Sequence, residues 1–226
     1  DSQNPTHVGT IGKGYTGTYS LDLDDLTSGD YIWRTALDGD GDRLVLSQLD
    51  ATSGGVDSGS VFTIKFDDTN FTNPTHVGTI GHSYNSSSYD LSIGTLGSGD
   101  SFTSLSLTDD GSRLAVGAMK DDGANGGHSN AGAVYLITFD QTTNSDGNPS
   151  TDFNNPTHVG TIGIDYAPTS TLTKSLDLGD NGLDILSNND QFGNSIGLTA
   201  DGKILAVSST KDDGYNTTND TNDDYG

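Results

Sequence analysis

The nonapeptide "NPTHVGTIG" stands at Asn4–Gly12, again at Asn73–Gly81 and a third time at Asn155–Gly163, without a single change. The copies start 69 and then 82 residues apart, and a recurrence of that length marks one supersecondary unit of a repeat architecture. Valine and isoleucine alternate with polar or glycine positions, and the proline sits at the entrance, where a missing N–H does not disturb a strand ladder. The segment therefore reads as the outer, edge-forming strand of a repeated β unit.

Other segments recur in step with it. The runs at Asp30–Asp50, Asp100–Asp122 and Asp190–Asp213 each carry two short alternating stretches around an Asp/Gly turn, with one extra residue near Gly193 in the third. Phe102, Leu105 and Leu107 precede "DDG", and Leu114 and Val116 follow it. Period-2 alternation across an acidic glycine turn predicts a hairpin. A third strand follows at Gly59–Asp68 and Gly132–Asp140, both β-branched and aromatic and both ending in Asp.

Two stretches carry a resemblance to a known family: "FGNSIGLTADGKILAVSSTKDDG" from Phe192 and "LAVGAMKDDGANGGHSNAGAVYLITFD" from Leu114. They resemble FG-GAP repeats, the blades of integrin-alpha-type β-propellers, as found in large bacterial surface proteins. The "FG" pair survives at Phe192 and Gly193 and the "GA" pair at Gly117 and Ala118, whereas the first repeat departs from both. The resemblance implies an all-β chain of tandem four-stranded antiparallel blades, β-propeller-like, either a partial propeller or a repeat array.

On that order, 1–29 hold the outer strand of a preceding blade plus a linker, 30–81 blade 1 and 82–99 a linker loop. Blade 2 follows at 100–163, a second linker loop at 164–189 and an incomplete blade 3 at 190–226. Propellers close with about four to eight blades. Completion thus falls to further repeats of a longer chain or to other copies of the same chain.

Composition narrows the partners. Nine Lys and Arg stand against 32 Asp and Glu, a net charge of −23 that disfavours nucleic acid and anionic lipid. No apolar run reaches the length of a membrane helix, so no membrane insertion is expected. Cysteine is absent, which excludes a disulfide framework and a nucleophilic thiol.

The sharpest chemical candidate is the first hairpin turn, "LDGDGDR", with Asp38, Asp40 and Asp42 at alternate positions. Ca²⁺ takes six to eight oxygen ligands, and alternate carboxylates on a glycine loop can converge on one ion. The equivalent loop of FG-GAP blades binds Ca²⁺, which the resemblance carries to these three residues. Leu44 and Leu46 occupy the places of a later acidic ligand, so a plain Asp-Gly hairpin turn is the competing reading.

The "KDDG" pairs, Asp121 with Asp122 and Asp212 with Asp213, read as loop caps or metal ligands. His7, His76 and His158 read as solvent-facing strand positions. No carboxylate pair, nucleophile–base pair or phosphate loop stands out, so no catalytic residue is assigned.

The connections Lys13–Asp30 and His82–Asp100 carry Tyr15, Tyr19, Tyr84 and Tyr89, which serve either as ligand-binding aromatics on loops or as packing between blades. Sequons stand at Asn70, Asn85, Asn216 and Asn219. The sequence leads us to expect a non-enzymatic structural or adhesive repeat protein at the cell surface or outside the cell, stabilised by blade stacking and self-assembling through strand pairing between chains at the open third blade and the first nonapeptide. The alternative is a calcium-dependent, integrin-like fragment that binds a protein or glycan through its loops.

Overall fold

A computed structural model describes residues 6–49, 51–53, 56–143, 149–150, 152–179 and 185–212. Among these the chain is all-β, with no helix long and apolar enough to cross a membrane. It opens with two-residue strands β1 (Ile11–Gly12) and β2 (Leu21–Asp22), paired in parallel.

The first large sheet contains β3 (Ile32–Leu37) and β4 (Arg43–Gln48), then, past the short hairpin β5 (Thr52–Ser53) and β6 (Val56–Asp57), β7 (Ser60–Lys65), β8 (Thr75–Gly81) and β9 (Leu91–Ser92). The second contains β10 (Ser104–Leu107), β11 (Arg113–Ala118) and β12 (Ala133–Thr138). After the small hairpin β13 (Thr142–Thr143) and β14 (Pro149–Ser150), it is completed by β15 (Thr157–Gly163) and β16 (Leu176–Asp177). A last hairpin, β17 (Phe192–Leu198) and β18 (Leu205–Ser209), follows. The large sheets have the orders β3-β4-β7-β8-β9 and β10-β11-β12-β15-β16.

Each large sheet thus has five strands, not four, and the nonapeptide strand is not the edge. The expected linker folds back and adds a two-residue parallel strand outside it, with Ile80 opposite Leu91 and Ile162 opposite Leu176. Two-residue strands leave no periodicity to read, which is why the sequence did not disclose them.

This return explains why the nonapeptide is invariant. At Gly9, Gly78 and Gly160 the returning backbone, at Tyr19, Tyr89 and Lys174, runs so close that a Cβ would overlap it. Asn73 and Asn155 turn through φ of +46° and +44°, a region asparagine tolerates. Their amides then donate to Asp67 (2.8 Å) and Asp140 (3.0 Å), the residues that close the third strand.

The histidine holds a β-bulge, which falls at Thr63/Ile64 in one sheet and Leu136/Ile137 in the other. His158 Nε2 lies 3.1 Å from the Gly160 carbonyl and 2.8 Å from Thr161 Oγ1, and His76 repeats the arrangement with Gly78 and Thr79. These two histidines are half-buried rather than solvent-facing, because their rings pack against Phe62 (5.3 Å) and Tyr135 (5.6 Å).

Packing follows a rule of large against small. Alternation places Ala36 and Val45 of the first sheet toward the second sheet, and Leu44 and Leu46 toward β1 and β2, where Leu23 and Leu26 cover them. The second sheet answers with Phe102, Leu107, Leu114 and Val116 in one core with Val45, Val61 and Ile80. Its opposite face is small at Ser104, Ser106 and Gly117, and there β17 docks: Ser104 Oγ donates to the Gly193 carbonyl at 2.7 Å and Leu198 N donates to Ser106 Oγ at 2.9 Å. Gly132, at φ +93°, is required because the Phe192 backbone occupies the place of its Cβ.

Candidate functional site

The features that recur from sheet to sheet meet at the Asp/Gly turns. Gly39 N donates to Asp109 O at 2.9 Å, and Asp109 N donates in turn to Ala200 O at 3.1 Å. Beside these bonds Arg43 Nη1 donates to the Asp110 carbonyl (3.3 Å) and Arg113 Nη1 to the Asp201 carbonyl (3.0 Å). Each turn is thereby bolted to the next by one amide and one guanidinium. The sequence showed the turns but not this contact, because it joins residues about 70 and 90 positions apart.

Within the first turn, the Asp38 carboxylate points inward. Its Oδ1 accepts from Gly41 N (2.9 Å) and Arg43 N (3.1 Å), and its Oδ2 accepts from Arg43 Nη1 (3.0 Å). Burial pushes its pKa up, and the Arg43 amide opposes that shift. Thr108 and Thr199 hold the same place in the other turns, and their hydroxyls bond the turn amides instead.

Asp40 is exposed, and Asp42 keeps one buried oxygen without a hydrogen bond, 3.8 Å from Arg43 Nε. Of the three carboxylates, Asp38 is hydrogen-bonded by Arg43 and the turn amides, and Asp40 and Asp42 are not. Among the described residues no group of three acidic, histidine or cysteine side chains is arranged to hold a metal.

Asp121, of the first "KDDG" pair, sits in a setting the sequence did not reveal. It is 1% exposed, and its carboxylate accepts from Gly123 N at 2.8 Å and from Tyr135 Oη at 2.5 Å, with Tyr166 Oη 3.0 Å from both oxygens. Burial raises the Asp121 pKa, against the Tyr135 hydrogen bond. Burial and then the Asp121 charge raise both tyrosines well above their ordinary value.

Nearby Asp100 is 3% exposed and accepts from Gly97 N at 2.6 Å. Burial, with the charges of Asp121 and Asp122 added, pushes it up to about 7. In the first sheet Ala51 and Phe62 replace Asp121 and Tyr135. That paired change was the available signal for a buried carboxylate–phenol contact. Asp122 caps its own loop, accepting from Asn130 N at 2.7 Å. Asp212 is described, while Asp213 lies outside the described residues.

Tyr15 and Tyr84 lie against the closing glycines of their nonapeptides, Gly12 and Gly81, as the buried Tyr166 lies against Gly163. Tyr15 is 50% exposed and Tyr84 half-buried. Tyr19 and Tyr89 are exposed at the point where the returning chain crosses. Tyr19 also lines a cleft of about 340 Å³ with His7, Val8, Phe66 and Phe71. Asn70 and Asn85 are exposed, while Asn216 and Asn219 lie outside the described residues.

A larger groove of about 610 Å³ opens over Leu136, Val159 and Leu198, bordered by Arg113, Lys174 and Lys203. It adjoins β17 on the small-residue face of the second sheet. The first sheet's equivalent face, at Thr63 and Val77, is covered by the second sheet's core. Neither a protein-family model nor a curated protein matches this chain.

Proposed function

We propose that the chain is a non-enzymatic structural or adhesive repeat protein acting at the cell surface or outside the cell. In this reading its sheets are FG-GAP-like blades of an array, or of part of a propeller, and blade stacking supplies the stability. The observation that carries the reading is the junction made twice with the same chemistry, Gly39 to Asp109 and Asp109 to Ala200. Repeats that contact only their neighbours add stability along the array. The "FG" glycine fits this reading, because Gly193 stands at φ +87° with its backbone against Gly117. A charge of −23 keeps such surfaces soluble.

The test has two parts. Protease shaving of intact source cells should release peptides of the exposed connection at 82–90. Replacing Gly132 by alanine should loosen the β17–β18 hairpin while sparing the first junction. Peptides released only after lysis would refute the location, and an unaffected hairpin would refute the stacking.

One observation favours the calcium-dependent alternative, the unbonded buried oxygen of Asp42 beside exposed Asp40. That reading requires Asp38 to leave Arg43, with Tyr15, Tyr19, Tyr84 and Tyr89 meeting a protein or glycan ligand. A calcium titration of thermal stability, repeated on Asp42→Ala, decides it. Stabilisation lost in the variant supports the alternative, and its absence in the unaltered chain removes it.

A further inference from the structure

Each end of the stack displays one half of the inter-sheet junction. On the first sheet Ile32 and Leu37 hold the places of Phe102 and Leu107 in the second; they are 37% and 42% exposed, whereas Phe102 and Leu107 are 0% and 8% exposed. Trp33, inside the same strand, and Tyr31, just before it, are 47% and 62% exposed. This is the large-residue half of a junction. At the other end, the outward face of the last hairpin pairs Gly197 with Ala206, both exposed, with Ser195 beside them. That is the small-residue half. Ile204 stands there 67% exposed where the second turn has Arg113.

We propose that a second copy of this chain stacks head to tail, laying the Ile32 and Leu37 face of its first sheet over the Gly197 and Ala206 face of the last hairpin. The occupant is set by a precedent within the molecule, since the same large-on-small pairing already joins the first sheet to the second and the second to the hairpin. The turns continue the pattern: Ala200 N would donate to Gly39 O of the next copy, as Asp109 N donates to Ala200 O here. In such a junction β1 and β2 of the incoming copy lie beside β18, toward the groove over Leu136 and Val159. The two faces differ, so the contact is heterologous and grows an open series unless the rotation closes a ring.

The inference rests on the stacking reading. It can fail on its own, because the Gly132→Ala test judges stacking inside a single chain.

The experiment is sedimentation of the unaltered chain from about 5 to about 200 μM, at or above about 0.15 M salt so that the −23 charge is screened. Species growing beyond dimer are expected. Leu37→Glu spoils the first face and Ala206→Glu the second. Each should weaken association at least about a hundredfold and leave monomers, since a charge buried against apolar surface is costly. Both positions are exposed, so folding should survive, and circular dichroism matching the unaltered chain checks it.

Mixed together, the two variants should form a dimer and nothing larger, because only one sound junction is available between them. An unaltered chain that stays monomeric overturns the proposal and assigns these faces to further repeats of a longer polypeptide. Variants that fail to complement also overturn it.

Discussion

Replacing Asp100 by asparagine should stabilise the protein at and above neutral pH. Asp100 is buried, and its pKa is pushed from 3.8 up to about 7 by burial and by the charges of Asp121 and Asp122. A raised carboxyl pKa means that the folded state holds its proton longer than the unfolded chain does. The stability it contributes is complete below about pH 4 and is lost as pH rises to about 7. At about 1.4 kcal/mol per pH unit, the gap is worth at most about 4 kcal/mol.

Asparagine keeps an oxygen for Gly97 N, which bonds the present carboxylate at 2.6 Å, and removes the charge. Realising half of that ceiling, about 2 kcal/mol, would raise Tm by roughly 4–8 °C in a chain of this size. The assay is thermal unfolding followed by circular dichroism at pH 4, 6 and 8. The variant should match the unaltered chain near pH 4 and exceed it at pH 8. Equal or lower stability at pH 8, with the pH slope unchanged, would refute the reasoning.

Three further outcomes are expected. Tyr135→Phe should cost about 2–3 kcal/mol by removing a donor from buried Asp121. Adding Asp121→Ala to it, which installs the Ala51 and Phe62 pair of the first sheet, should recover most of that loss in denaturant unfolding. Arg43→Met should cost about 3 kcal/mol by leaving the Asp38 carboxylate buried without its ion pair. Combining it with Asp38→Thr, the residue type at 108 and 199, should return part of that loss. Gly132→Ala should cost at least about 2 kcal/mol, since φ of +93° and the Phe192 backbone both exclude a side chain, and proteolysis should then begin near β17.

Much of the architecture was legible because it depends on local pattern. Alternation around "DDG" and "ADG" gave the hairpins, and the β-branched runs gave β7 and β12. The register shift in β17 between Phe192 and Ile196 accommodates the extra residue seen near Gly193. The fifth strands were not legible, because Leu91–Ser92 and Leu176–Asp177 are two residues long and leave no alternation to read.

Site chemistry was harder to read. Three aspartates at alternate positions look alike in sequence, but Arg43 draws Asp38 into the turn and leaves Asp40 in solvent. Asp121 looked like an ordinary loop cap because Tyr166, its second phenol, arrives from 45 residues away. The histidine gave no hint of its task, since a bulge becomes visible only when two strands are paired.

The central claim is that one junction, built twice, joins neighbouring sheets. Residue-resolved hydrogen exchange of the Gly39 and Asp109 amides tests it most directly, in the unaltered chain and in Gly132→Ala. Both amides should be protected in the unaltered chain, and only Asp109 should lose protection in the variant. Free exchange at both amides in the unaltered chain, or equal loss at both in the variant, would contradict the account.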